Sequence, residues 1–176
     1  MNEAPRLDRL TRAYDRMMER VKSRLDDLGQ AERHALPYLQ QSIEHAAEAA
    51  IALGELTREE ASLIGTYIKR DLEDAGHYLA VTGKDLNEWL RFDLGLVEER
   101  LLEWFSRAAD QNRLEMLDFQ ETVERASHYA TGEITGPGSL QCEACGKVLQ
   151  FHATAHIPAC PQSHRRRFQR LIDTQS

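Results

Sequence analysis

Three cysteines near the carboxyl end constrain this chain more than any other feature of its sequence. Cys142 and Cys145 form a Cys-x-x-Cys pair, and Cys160 follows after fourteen intervening residues. Thiolates are strong zinc ligands, and two intervening residues allow one tight turn to present both sulfur atoms to the same ion. Gly146 suits such a turn, and Cys160-Pro161 can begin a second one across a hairpin. The spacing therefore predicts a zinc-ribbon-like module with one structural zinc ion.

The fourth zinc ligand is less clearly encoded. A second Cys-x-x-Cys pair would place a cysteine at position 163, but the sequence has Ser163 there, followed by His164. We predict His164 as the fourth ligand, because an imidazole reaches further than a thiol and zinc accepts histidine nitrogen. His156, His152, water and Ser163 are the alternatives, and the serine leaves the zinc occupancy open. The predicted metal ligands are Cys142, Cys145, Cys160 and His164.

Other interpretations of these residues are less favourable. A redox Cys-x-x-Cys pair is typical of a βαβ setting, which this sequence lacks. A module without metal would keep the cysteines as small buried hydrophobic residues. His152 and His156 have the spacing of a zinc-protease motif, but Ala153 stands where its catalytic Glu is needed. We expect no enzyme; the alternative is a zinc enzyme with an open fourth position, for which the sequence offers no placed general base.

The residues before the cysteines have the pattern of amphipathic helices. In the first of these, apolar side chains alternate three and four residues apart, as at the a and d positions of a coiled coil. Gly29 and Pro37 bracket a break near residues 29–36, where two helices fold back as a hairpin; a continuous helix kinked at Pro37 is the alternative. The seam residues are Leu7, Leu10, Tyr14, Met17, Val21 and Leu28.

Further helices are predicted along the chain. Thr57 and Glu60 have the spacing of a capping box, in which each residue satisfies a backbone N–H of the other. Charged doublets such as Glu73-Asp74 are expected on solvent-exposed helix faces. The helical runs that follow the capping box lie at about residues 61–79, 86–108 and 112–127.

These patterns together predict a mainly α fold with a small β module. Residues 1–131 form an antiparallel helical hairpin or coiled-coil body of four to five amphipathic helices. Residues 132–176 form the zinc-ribbon-like tail, because three Gly and one Pro interrupt the helical pattern just after Thr131.

Charge and hydropathy limit the classes of function. The net charge of the chain is −7, divided into −9 for residues 1–131 and +2 for residues 132–176. An acidic body disfavours broad contact with a phosphate backbone. The first residues lack the apolar segment of a secretory signal, and no apolar run is long enough to span a membrane. We therefore expect a cytoplasmic protein, in which reduced cysteines are free to bind metal.

Short motifs from the middle of the chain onward match those of a known family. They are Gly54-Glu-Leu-Thr-Arg58, Lys69-Arg-Asp-Leu-Glu73, Gly132-Glu133 through Gly136-Pro-Gly138 to Cys142-Glu-Ala-Cys145, Ile157-Pro-Ala-Cys160-Pro161, and Phe168 with Arg170. Through them the chain resembles the YbeL-like bacterial zinc-ribbon proteins, a family without an established biochemical role. The resemblance implies a helical body followed by a four-cysteine ribbon. Ser163 departs from it, because the last cysteine of the family falls at that position.

We expect a non-enzymatic interaction or regulatory module, whose metal-stabilised tail docks on a macromolecular partner. The amphipathic helices suit a protein partner or self-association, and neither a membrane nor a small-molecule substrate is indicated. The alternative is direct nucleic-acid binding through the basic tail. Arginines near the site could equally offset the excess charge of three thiolates over one zinc ion. The candidate contact residues are Arg165, Arg166, Arg167, Phe168 and Arg170.

Overall fold

A computed structural model of the chain describes residues 3–27, 36–82 and 128–171. Within these ranges the protein has three helices and six short strands. The helices are α1 (Glu3–Asp27), α2 (Leu36–Ala52) and α3 (Arg58–Thr82). None of the three combines the length and apolar character that crossing a bilayer requires.

Contacts between Cα atoms divide the chain into two compact units, Met1–Lys69 and Arg70–Ser176. The last part of α3 therefore belongs with the strands. The helices predicted at about 86–108 and 112–127, and most of the break predicted near 29–36, lie outside the described residues. The predicted boundary at residues 131 and 132 stays a prediction.

The first unit buries the apolar face of α1 against α2. Ala13 is buried beside the predicted seam, which widens the apolar stripe beyond strict a and d positions, as in a helix of a globular unit. Leu7, at the start of the seam, is 37% exposed. The buried apolar side chains are Leu10, Ala13, Tyr14, Met17 and Val21 on α1, and Ile43, Ala46 and Ala50 on α2.

The start of α3 is fixed by the predicted capping box, which is confirmed. The Thr57 N–H donates to Glu60 Oε2 at 3.1 Å, and the Glu60 N–H donates to Thr57 Oγ1 at 3.2 Å. Three arginines of α1, Arg9, Arg16 and Arg20, also reach this corner. Arg9 forms an ion pair with Glu60, and Arg20 donates to both oxygens of Glu55 at 2.9 Å. These bonds hold the connection between α2 and α3 against α1.

The second unit contains two antiparallel sheets. The larger has the order β1–β6–β3–β4 and the smaller pairs β2 with β5. The strands of the larger sheet are β1 (His128–Ala130), β3 (Gly138–Cys142), β4 (Val148–Phe151) and β6 (Arg167–Arg170); those of the smaller are β2 (Ile134–Thr135) and β5 (Ala155–His156).

The hydrophobic core of this unit includes two of the cysteines. On β6 the side chains alternate, so that Phe168 and Arg170 are buried while Arg167 and Gln169 are exposed. Phe168 lies opposite Cys142 in the pairing of β3 with β6. The core cluster consists of Tyr129, Leu140, Cys142, Phe151, Ile157, Cys160 and Phe168.

A buried ionic network joins the end of α3 to the strands of the second unit. The Arg170 guanidinium, with its side chain 0% exposed, lies 3.2 Å from Asp71 Oδ1 and 3.6 Å from Asp74 Oδ2. Its Nε and Nη2 donate to the Tyr129 hydroxyl at 3.1 and 2.9 Å. That hydroxyl donates in turn to Asp74, and Arg170 Nη2 also donates to Thr135 Oγ1 at 3.0 Å.

A second arginine extends the network. The Arg70 guanidinium lies 3.8 Å from the centre of the Tyr129 ring and donates to Glu133 at 2.6 Å and to the Ile134 carbonyl at 2.9 Å. Asp71 accepts a bond of 2.7 Å from the backbone N–H of Gly136. The network therefore combines ion pairs, a cation–π contact and backbone hydrogen bonds, which together offset the cost of burying charge.

The predicted fold class, mainly α with an antiparallel hairpin or coiled-coil body and a small β module, is wrong. The described part of the chain has only three helices, and its carboxyl-terminal region is rich in sheet. The exposed position expected for Glu73-Asp74 is also wrong, because both side chains are buried. Periodicity treats such charges as a solvated helix face, whereas here Asp74 bonds Tyr129 of β1 and lies beside Arg170 of β6.

We expect the acid sensitivity of the first unit to depend on the ion pairs that Glu55 and Glu60 form with arginines of α1. The hydrogen bond from Arg20 lowers the pKa of Glu55 below its usual 4.5, and the bond from Arg9 does the same for Glu60. A lowered folded-state pKa contributes stability that is present above about pH 4.5 and is lost as the pH falls. Urea titrations of Glu55→Gln and Glu60→Gln should therefore lose less stability than wild type between about pH 5 and pH 3. The exposed substitution Asp15→Asn is the control, and a wild-type pH profile in both glutamine variants would contradict the expectation.

We expect Arg170→Met to destabilise the second unit strongly, because it leaves Asp71 and Asp74 buried without their main counter-charge. Breaking a buried pair costs about 3–5 kcal/mol. Arg167→Met is the matched control on the exposed side of the same strand, and it should change the free energy of unfolding by less than about 0.5 kcal/mol. Urea unfolding and hydrogen exchange of the β6 amides would measure both. Equal rates of hydrogen exchange at the β6 amides of the two variants would show that the ionic network does not hold β6.

Candidate metal centre

The three cysteines converge where β3 ends. Cys142 is the last residue of β3, Cys145 lies in the turn that follows, and Cys160 lies between β5 and β6. Their sulfur atoms all lie within 4.8 Å of one another, and those of Cys145 and Cys160 are 3.6 Å apart. A tetrahedral zinc ion with Zn–S bonds of about 2.3 Å places sulfur atoms about 3.8 Å apart. The three cysteines, all free thiols, therefore fit a single zinc ion.

The two turns that carry the cysteines have the same backbone form. The Gly146 N–H donates to the Cys142 carbonyl at 2.9 Å, and the His164 N–H donates to the Cys160 carbonyl at 2.9 Å. Both donors have left-handed backbone angles, with φ of 73° at Gly146 and 56° at His164. The sequences Cys-x-x-Cys-Gly and Cys-x-x-Ser-His thus match position by position. Ser163 takes the place of Cys145, and His164 takes the place of Gly146.

The Ser163 hydroxyl lies among the sulfur atoms. Its Oγ is 3.3 Å from Cys142 Sγ. The hydrogen bond from Ser163 is the main cause that lowers the pKa of Cys142, and the same hydroxyl lowers the pKa of Cys160 to about 6. Backbone N–H groups of each turn act in the same direction. These lowered pKa values favour the thiolate form, which is the form that binds metal.

The predicted histidine ligands lie in different surroundings. His164 is exposed, and among the described residues it does not belong to the group of potential ligands that the fold brings together. His156 Nδ1 lies 3.1 Å from the Gly132 carbonyl, and His152 is exposed. His164 as fourth ligand and a stoichiometry of one zinc ion therefore stay predictions.

The candidate contact residues are divided between surface and interior. Arg165, Arg166 and Arg167 are exposed, whereas Phe168 is 0% and Arg170 5% exposed. The alternation of β6 turns these last two side chains inward, so that they serve the core and the ionic network. Of the five candidates, the three consecutive arginines are thus the exposed ones.

The sequence interpretation missed the partners of Arg170. Asp71 and Asp74 lie on what periodicity treats as a helix surface, and Tyr129 stands alone in a polar stretch. The one signal was the motif Lys69-Arg-Asp-Leu-Glu73, which supported the family resemblance without suggesting a structural role.

Comparisons with known proteins are consistent with a metal site. A family model described as a zinc-ribbon containing domain matches residues 26–171. The chain is also similar to the uncharacterized protein YbeL of Escherichia coli strain K12, with 27% identity over 128 residues, which cover 73% of this chain and 79% of that protein. The same values hold for YbeL of strain O157:H7. No solved structure matches the chain. The family match and the cysteine cluster together indicate a metal-binding domain.

We expect the purified chain to carry zinc and Cys145→Ser to lose most of it, because a neutral hydroxyl is a much poorer ligand than a thiolate. Elemental analysis by mass spectrometry, after purification with a non-thiol reductant, measures the zinc content. His45→Ala is the control at an exposed histidine of the first unit and should keep the wild-type content. Full zinc in Cys145→Ser would contradict the assignment of this cysteine as a ligand.

Proposed function

The chain belongs to the zinc-ribbon containing domain family, and we propose that it is a non-enzymatic binding module whose metal-stabilised ribbon docks on an acidic protein surface. The observation that carries the proposal is the exposed run Arg165–Arg167, which directly follows the second cysteine turn. Reduced cysteines able to bind metal support a cytoplasmic location.

The backbone of the arginine run is fixed at each residue. The Arg165 carbonyl accepts the Cys160 N–H at 3.0 Å, and the Arg166 carbonyl accepts the Thr131 N–H at 2.9 Å. The Arg167 carbonyl accepts the N–H of Glu143, in the first cysteine turn, at 3.2 Å. Zinc held by the three cysteines would crosslink the two turns. The geometry of the run would then depend on metal.

The charge of this region favours an acidic partner. Residues 128–171 contain five Lys and Arg, of which four are exposed, and only two Glu and no Asp. The arginines of the run present planar guanidinium groups, which pair with carboxylates through two parallel hydrogen bonds. Because the run has a fixed backbone, less conformational freedom is lost on binding than in a flexible basic tail.

Nucleic-acid binding through the same arginines is the alternative, since phosphate groups also attract guanidinium. Binding to single strands usually adds stacking of bases on aromatic side chains. In the described ribbon, residues 128–171, the Tyr and Phe side chains are Tyr129, Phe151 and Phe168, and all three are buried. The absence of an exposed stacking surface in this part of the chain favours a protein partner.

We expect reversal of the run, by Arg165→Glu, Arg166→Glu and Arg167→Glu together, to abolish capture of a specific protein by the full chain. The control variant carries Arg12→Glu, Arg24→Glu and Arg58→Glu, which change the net charge equally at other exposed positions. Affinity capture with quantitative mass spectrometry compares the two variants and wild type, with and without nuclease and chelator.

The proposal requires a protein that wild type and the control variant capture, that nuclease does not release, and that chelation removes. Release by nuclease would favour the nucleic-acid alternative. Equal capture by the run variant and the control variant would show that the arginine run is not the docking surface.

A further inference from the structure

The equivalence of the two cysteine turns indicates which residue of the second turn faces the metal. In the first turn, Gly146 closes the turn through its N–H, and the residue before it, Cys145, presents a sulfur atom to the cluster. In the second turn, His164 closes the turn in the same way. The residue that the backbone delivers to the cluster is therefore Ser163.

Distances between the turns support this placement. Cys145 Sγ lies 3.6 Å from Cys160 Sγ, and Cys142 Sγ lies 3.3 Å from Ser163 Oγ. The first turn thus contributes the sulfur atoms of Cys142 and Cys145, and the second contributes Cys160 Sγ and Ser163 Oγ. Each of these two distances joins an atom of one turn to an atom of the other. Zinc–oxygen bonds are about 0.2 Å shorter than zinc–sulfur bonds. The shorter of the two distances is accordingly the one that includes oxygen.

The contribution of His164 to the second turn comes from its backbone. Its φ of 56° lies in the left-handed region, which Gly146 occupies in the first turn. The N–H of His164 is committed to the Cys160 carbonyl, and its side chain is exposed. A glycine at this position would serve the same turn without backbone strain.

We propose that Ser163, rather than His164, holds the fourth corner, which makes the centre a three-thiolate site with a weak oxygen ligand that an external thiolate can displace. The proposal rests on metal binding by the cysteines but does not depend on docking to a partner. A small thiol or a partner's cysteine has the soft sulfur donor that zinc prefers to a neutral hydroxyl. Ser163 is half-buried, whereas Cys142 and Cys160 are fully buried, so the position of Ser163 is more accessible to an external thiol than the positions of those two cysteines.

Zinc competition with a chromophoric chelator tests the identity of the fourth residue. Ser163→Cys should raise the zinc affinity of the full chain at least about tenfold, since even changes outside the ligand set alter affinity by about 10–100-fold. His164→Gly should leave the affinity within about twofold, because glycine preserves the turn. His164→Ala also removes the imidazole, but it does not add the backbone freedom that glycine brings.

Cobalt(II) loading tests whether the fourth position can be displaced. With a non-thiol reductant present, addition of a small monothiol should shift the visible absorption of the wild-type cobalt form toward that of Ser163→Cys. The spectrum of Ser163→Cys itself should not change, because its fourth corner already holds a thiolate. Ser163→Ala should respond to the thiol as wild type does.

Each contrary outcome overturns a definite part of the proposal. A tenfold loss of zinc affinity in both His164 variants, with no gain in Ser163→Cys, would assign the fourth corner to His164. A wild-type cobalt spectrum that thiol does not alter would show a closed site. Failure of every variant, including Ser163→Cys, to bind either ion would overturn the metal centre, whatever the capture experiment finds.

Discussion

The buried Arg170 guanidinium is the interaction on which the second unit depends. Its strands are only two to five residues long, and strands of that length give little stability without other elements to pack on. Burial lowers the pKa of Arg170, but the interactions with Tyr129, Asp71 and Asp74 raise it by more and keep the guanidinium charged. Burial also raises the pKa of Asp74, which shows that both signs of charge carry a desolvation cost. Only a set of partners drawn from α3, β1 and β2 offsets that cost, so Arg170 holds these elements together.

Strand β6 connects this network to the metal centre. Arg170 stands at one end of the strand, and Phe168 in its middle packs opposite Cys142. At the other end, the Arg167 carbonyl accepts a bond from Glu143 in the first cysteine turn. The ionic network, the core and the cysteine turns therefore all act on four consecutive residues. The arginine run lies directly before and within this strand, so its position is tied to that of β6.

The features that the sequence could predict are those encoded within a few residues. The capping box of Thr57 and Glu60 spans three residues, and the Cys-x-x-Cys turn spans four. The fold class failed because its deciding contacts are distant: Tyr129 bonds Asp74 across 55 residues, and Arg170 bonds Asp71 across 99. The periodicity of apolar residues cannot show that Asp71 and Asp74 on α3 are buried, because their partner Arg170 lies almost 100 residues further along the chain. At the fourth corner, the Cys-x-x-Cys spacing pointed to position 163, but ligand chemistry favoured His164. The left-handed backbone of His164, which supports Ser163 instead, cannot be read from residue types.

A serine at the fourth corner is easier to accommodate because the ribbon does not rely on metal alone. Small modules usually need a metal or a disulfide to compensate for a small core. Here α3 and Arg170 provide a second means of support, which holds β6 from the end opposite the cysteines. The ionic network supports β6 from one end, and a metal ion bound by the cysteines would fix the two turns at the other end, together with the arginines that follow the second turn.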